Sequence, residues 1–287
     1  MKKLLLCTDL DRTLIPNGPH PESKSAREIF NNFTLHSDVT LVYVSGRDKL
    51  LIQEAIKKYN LPTPDFVIAD VGSTIYQVTN NSWVHMDDWD SEISGDWNGK
   101  NNEELQDILH RFSELRIQEY SKQNKYKLSY YVPLQVEHVV LLDKIYSSLK
   151  SKGIKVNLIW SVDINTDLGL LDILPASANK QHAIEFIMNR FDFDLTDTIY
   201  AGDSGNDIAV INSSINSILV ANAEEDIIHS AMKHAKESNQ LHSFYLAKGD
   251  FFGMNGNYSA GVLEGVVHYM PDYNKFIKLT ENGISNE

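Results

Sequence analysis

The sequence predicts an α/β fold: a Rossmann-like parallel sheet with a smaller α+β layer inserted into it. Three observations predict it. Apolar, β-rich runs alternate with helical patterns over residues 3–72. That alternation breaks down between 79 and 176. It resumes near 178. Residues 1–78 and 177–287 are therefore read as one core domain, and residues 79–176 as an inserted cap.

Each element follows from its residues. Residues 3–9 read as a short buried strand. Residues 25–36 place Ile29, Phe30 and Phe33 at helical spacing. "VTLVYVS" (39–45) is a β-rich apolar run, hence a second strand. Residues 48–59 put Leu51, Ile52, Ala55, Ile56 and Tyr59 on one helical face. "DFVIADVG" (65–72) is a third strand, and strand–helix–strand succession implies parallel pairing with crossover helices. From 79 to 100 the chain is rich in Asn, Trp and Asp and lacks apolar periodicity. The insertion then reads as helix 102–119, strand 126–132, helix 136–150 and strands 155–161 and 167–174. The core resumes with helix 178–190, strand 198–202, helix 206–213 and strand 217–220. "SAGVLEGVVHYM" (259–270) reads as a late helix packed on the core.

The totals narrow the class. Of 287 residues, 42% are hydrophobic and 23% charged, enough to bury a sizeable core. The net charge of −13 argues against a nucleic-acid platform or a binder of anionic membranes. The single cysteine, Cys7, allows no intrachain disulfide and suits a reducing compartment. The apolar stretch in "MKKLLLC" is too short for a signal segment, and no run approaches a membrane span. A cytoplasmic protein is expected.

The chemistry gathers at strand ends, where ligands bind in open α/β sheets. Asp9 and Asp11 follow the first strand, Ser45, Gly46 and Arg47 the second, and "AGDSGND" (201–207) a later one. With Asp203 and Asp207, four carboxylates would crowd together and raise one another's proton affinity. A divalent cation removes that cost, and an all-oxygen donor set favours Mg2+. Lys180 stands in the first turn of the helix after the insertion, where it opposes the helix dipole and is better explained by a distant task. Ser45, Lys180 and the cation would surround a dianionic group. Asp9, held ionised, would attack phosphorus, and Asp11 would shuttle the proton. A tight turn after the first strand would aim the backbone N–H groups of Leu10 and Asp11 at phosphoryl oxygens.

These residues resemble the haloacid dehalogenase superfamily of phosphotransferases. Its four motifs occur in order: Asp9-Leu10-Asp11-Arg12-Thr13, Ser45 in "VSGR", Lys180 in "SANK", and Gly202-Asp203-Ser204-Gly205-Asn206-Asp207. The resemblance implies Asp9 as nucleophile and Asp11 as acid/base. It implies Mg2+ bound by Asp9, the Asp11 carbonyl and Asp203, with Asp207 close by. "GSTIY" (72–76), "KLSYYV" (127–132), "DILPASANK" (172–180) and "AGVLEGVVHY" further resemble the sucrose-phosphate phosphatase group. That likeness implies a small-molecule partner, a disaccharide phosphate such as sucrose 6-phosphate. Mannosylfructose phosphate, an amino-sugar phosphate and a monosaccharide phosphate stay open, as does a phosphosugar mutase; against a catalytically silent sugar-phosphate sensor stands the intact set of acids, which sensing does not need. Arg12 departs from the small or polar residue that relatives carry there.

Plainer readings stand beside these. Ser45 also suits a helix N-cap, Arg47 a surface ion pair, and Asp207 a helix-start acid. Lys127 and Ser129 share a strand face that either lines the sugar pocket or packs. Asn206 is a further candidate for substrate contact. Trp83, Trp89, Trp97 and Trp160 invite sugar stacking, but packing is the commoner use of tryptophan.

Overall fold

The computed structural model describes residues 3–80, 82–163 and 166–277. The chain opens with β1 (Leu4–Thr8), α1 (Ala26–Thr34), β2 (Val39–Val44), α2 (Lys49–Tyr59) and β3 (Phe66–Ala69). There follow β4 (Thr74–Thr79), β5 (Ser82–His85), α3 (Asp87–Ser94) and α4 (Asn102–Leu109). Next come β6 (Arg116–Ile117), β7 (Leu128–Pro133), α5 (His138–Lys150), β8 (Val156–Asp163) and β9 (Leu168–Pro175). The chain continues through α6 (Lys180–Arg190), β10 (Thr198–Gly202), α7 (Ile208–Ile211), β11 (Asn216–Leu219), α8 (Glu225–Glu237), β12 (Phe244–Leu246) and α9 (Ser259–Tyr269).

Two sheets result. The larger has the order β12-β11-β10-β1-β2-β3-β4-β5 and the smaller β6-β7-β9-β8. Pairing is parallel from β12 to β3 and antiparallel through β4 and β5. The smaller sheet is wholly antiparallel. The central strand shows why the apolar runs are unbroken. Leu5 and Cys7 of β1 point into one hydrophobic layer, and Leu4 and Leu6 into the other. A strand covered on both faces has no solvent side to mark with polar residues. Among the described residues, no helix is long and apolar enough to cross a membrane.

The structure corrects the expected layout in several places. β5 pairs with β4 in the larger sheet, so the residues after 79 do not leave the core at once. The helix expected over 102–119 stops at Leu109, and Arg116–Ile117 pairs instead with β7. α8 and β12 were not foreseen. Residues 278–287 of the expected core lie outside the described residues. The N-cap of α2 is Asp48, whose Oδ1 accepts from Leu51 N–H, and not Ser45.

The smaller sheet meets the larger through polar contacts. Lys122 pairs with Asp48 at 3.0 Å and Lys127 with Asp70 at 3.1 Å. Asn124 donates to Ser73 and Thr74. Where the chain passes between the two sheets, Asp96 Oδ2 accepts from the Ser177 N–H at 2.7 Å. The Asp96 carbonyl takes the Lys155 N–H at 2.7 Å. The turn after β3 is tightly made. Asp70, Val71 and Gly72 all have positive φ, and a Cβ on Gly72 would lie 2.4 Å from the Asn179 carbonyl carbon. Asn179 is the N-cap of α6, so this turn abuts the residue that precedes Lys180.

Candidate active site

β1 delivers Asp9 to the sheet edge, and its N–H donates to the Ala201 carbonyl of β10 at 2.9 Å. That bond sets the first-motif turn beside Gly202 and Asp203. Lys180, at the first position of α6, is almost fully buried. Its Nζ lies 2.7 Å from Asp9 Oδ1, 2.6 Å from Asp207 Oδ1 and 3.3 Å from Asn206 Oδ1. Asp207 is itself locked. Oδ1 also accepts from the Tyr200 hydroxyl, and Oδ2 from the N–H groups of Asp203 and Ser204. Thr13 donates to Asp203 Oδ1 at 3.0 Å. One carboxylate oxygen each from Asp9, Asp203 and Asp207 falls within 4.8 Å of the others.

The electrostatics follow from this crowding. Burial pushes the Asp9 carboxyl up to about 8; Lys180 opposes the rise, and Asp207 and Asp203 reinforce it. Burial, with Asp207 adding, pushes Asp203 up to about 6. Asp207 is as deeply buried, yet the charge and hydrogen bonds of Lys180 and the Tyr200 hydroxyl hold it below its ordinary value. Burial works against the charge on Lys180, but its two carboxylate partners overcome that. With all three acids ionised, the cluster carries more negative charge than Lys180 and Arg12 neutralise. Oxygen-only donors with uncompensated charge fit a hard dication such as Mg2+.

Asp11 faces a different partner. Arg47 grips it with both arms, Nε to Oδ2 at 2.7 Å and Nη2 to Oδ1 at 2.6 Å, and Asn17 Nδ2 donates to Oδ1 at 2.6 Å. Burial raises the proton affinity of Asp11, but the Arg47 hydrogen bonds and charge outweigh it and keep the group below its ordinary range. Arg47, expected to meet substrate, is therefore a partner of Asp11.

Other expected contacts also resolve into internal ones. Lys127 is buried between Asp70 and Asp172. Ser129 is buried and donates to Asp172. Asn206 accepts from Lys180 and Ser204. Leu10 is fully buried, and its carbonyl takes the N–H groups of Leu14 and Ile15, closing the turn. Ser45 is buried at the end of β2, its N–H on the Ile68 carbonyl and its Oγ accepting from the Arg47 N–H at 3.2 Å. Gly46 beside it is exposed. Trp89 and Trp97 are core residues, and Trp160 stacks on His138. Sequence reasoning missed Asn17, Tyr200, Asp70 and Asp172. Only the polarity of Asp70, at the end of a strand, marked any of them in advance.

Known proteins resemble this chain over most of its length. The model of the sucrose-6F-phosphate phosphohydrolase family matches residues 2–270. A HAD-like hydrolase of Nitrosococcus oceani is 50% identical over 273 residues, covering 94% of this chain and 73% of that protein. Sucrose-phosphatase 1 of Nicotiana tabacum is 27% identical over 246 residues, covering 83% of this chain and 55% of its own. The chain thus spans about half the length of that plant relative. The sucrose-phosphatase of Synechocystis sp. PCC6803, solved with sucrose and phosphate, superposes with a TM-score of 0.69 at 26% identity. That match covers 94% of this chain and 98% of the other.

Proposed function

The chain belongs to the sucrose-6F-phosphate phosphohydrolase family, a group of phosphoric monoester hydrolases, and from that premise we propose that it cleaves a sugar phosphate with Mg2+ at the acid cluster. One observation carries the reading. A buried lysine joins Asp9 at the end of one strand to Asp207 beyond another, at 2.7 and 2.6 Å, across 171 and 27 residues of sequence. Structural need alone is a weak explanation for two buried acids on one lysine with a third beside them, because apolar packing in place of a buried ion pair is often no less stable.

In this reading Asp9 attacks phosphorus while the bond from phosphorus to the sugar oxygen breaks. Asp11 gives its proton to that oxygen. It then takes a proton from water, which attacks the aspartyl phosphate, releases phosphate and frees Asp9. Ser45 and Lys180 hold phosphoryl oxygens, and Asp207 fixes Lys180. Asp9, Asp203 and the Asp11 carbonyl would hold the ion, with Asp207 behind them; once bound, it supplies positive charge to the acids and the phosphoryl group. Arg47 keeps Asp11 ionised before substrate arrives. A phosphate dianion competes for Arg47 and raises the proton affinity of Asp11, which takes up a proton from solvent as substrate binds and so serves as acid first and base second.

The cap is read as the element that chooses the sugar. The polar side chains where the sheets meet, Lys122, Asn124 and Lys127, with Asp172 beside Lys127, suit a hydroxyl-rich ligand. A disaccharide phosphate such as sucrose 6-phosphate is the preferred substrate. The single thiol, Cys7, buried in β1, is consistent with a cytoplasmic location. The test is phosphate release from a panel of sugar phosphates with Mg2+ and after chelation. The disaccharide phosphate should give the highest kcat/KM, and chelation should abolish turnover. A folded enzyme that releases no phosphate from any of them, or that yields an isomeric sugar phosphate, would refute the proposal.

A further inference from the structure

Arg12 has features that the reaction scheme leaves unexplained. Its φ is 58°, a left-handed conformation that glycine adopts freely and an arginine does not. The strain is actively maintained: the Arg12 N–H donates to Asn17 Oδ1 at 2.8 Å, and its carbonyl accepts from Asn222 Nδ2 at 2.6 Å. A strained position that keeps a long cationic side chain calls for a use of that side chain.

The side chain has two partners. Nε lies 3.2 Å from Asp203 Oδ2, and Nη1 lies 3.0 Å from Glu224 Oε1. Asp203 is buried, whereas Arg12 is 41% and Glu224 65% exposed. Glu224 stands at the N-cap position of α8, where an acid is favoured independently of Arg12. The guanidinium can therefore withdraw from Asp203 and keep an ion pair in solvent.

We propose that Arg12 is a tethered counter-cation that competes with the metal ion for Asp203 and so sets the affinity of the site, with Glu224 as its resting place when the ion is bound. In the metal-free protein it neutralises part of the crowded charge. When a dication arrives, Arg12 must yield the Asp203 oxygen, and from Glu224 it still repels the ion. A unit charge held near a dication, in water-like screening, weakens binding by roughly tenfold. The inference rests on the reading that Asp9 and Asp203 hold Mg2+.

The experiment is calorimetric titration of Mg2+ into chelator-stripped protein, without substrate. Wild type, Arg12→Gln, Arg12→Gly and Glu224→Gln are compared, with folding checked by circular dichroism. The glycine variant also relieves the backbone strain, so it remains informative if the glutamine variant folds poorly. Both Arg12 variants should bind Mg2+ roughly tenfold tighter. Glu224→Gln should bind it more weakly, because Arg12 then stays on Asp203. Folded Arg12 variants that bind no tighter than wild type would overturn the proposal. A Glu224→Gln protein that binds as well as wild type or better would overturn the role of Glu224. A wild-type protein that binds no Mg2+ would remove the underlying reading as well, which separates the two failures.

Discussion

Replacing Lys180 with methionine tests the centre of the site. Methionine keeps most of the side-chain volume and removes the charge. Lys180 is 2% exposed and bridges Asp9 and Asp207, which are 6% and 0% exposed, so solvent screens little of the loss. Breaking a buried pair by removing one partner costs about 3–5 kcal/mol. Two features of this site decide where in that range the cost falls. Asp207 keeps the Tyr200 hydroxyl and the N–H groups of Asp203 and Ser204. Asp9 loses its closest cation but can take up a proton, since burial already pushes it to about 8. The upper end is therefore expected at pH 9 and the lower end at pH 6. For a chain of this size that means a fall in Tm of roughly 6–20 °C. Differential scanning fluorimetry at both pH values measures it, with chelator and with saturating Mg2+. The metal should recover part of the loss by supplying charge to Asp9. A change under about 2 °C at pH 9 without metal would refute the account of Lys180 as the buried counter-ion.

Three further outcomes follow from the same geometry. Asp9→Asn should fold normally and release no phosphate, while Asp11→Asn should accumulate an acid-stable phosphoenzyme; burst kinetics and phosphoprotein mass spectrometry separate them, and full activity in Asp9→Asn would exclude it as nucleophile. The apo protein should lose stability as pH rises. Asp9 and Asp203 sit near 8 and 6 when folded against an ordinary 3.8, so the folded state binds more protons between those limits. Tm measured from pH 5 to pH 9 should therefore fall without Mg2+ and flatten with it, and a rise without the ion would contradict the electrostatic picture. Gly72→Ala should be strongly destabilising, since its Cβ would overlap the Asn179 backbone at a φ of 101°; a wild-type urea midpoint would show that the turn yields freely.

The parts of the fold legible in advance are those whose signal is local. The strands β1, β2, β3 and β10 are apolar runs because they are buried on both faces, and the motif acids mark their ends. The hairpin β4–β5 was missed because its burial falls away along the strand, from Thr74 and Ile75 inward to Thr79 and Ser82 at the rim. α8 was missed although its signal is in the sequence: Ile227, Ile228, Ala231, Met232 and Ala235 recur at helical spacing and form the face that packs on the core. The candidate site divides in the same way. Residue types at strand ends announced Asp9, Asp11 and Asp203, and a lysine at a helix start announced Lys180. Partners did not announce themselves: Arg47 meets Asp11 across 36 residues and Lys127 meets Asp70 across 57. A charged residue in a motif has a readable type but not a readable partner, because the partner is chosen by the packing of segments far apart in the chain.

The hydrogen bond between Asp96 and Ser177 has a consequence beyond packing. It ties together two points 81 residues apart where the chain leaves and rejoins the larger sheet. Whatever lies between them is attached like a loop fastened at its neck. The entropy of such a loop grows only with the logarithm of its length, so the sheet scarcely registers how long or how elaborate the attachment is. Evolution, or an engineer, can thus exchange much of the attachment for another over the same acids, provided the neck stays shut and the buried Asp70 keeps a cation in place of Lys127.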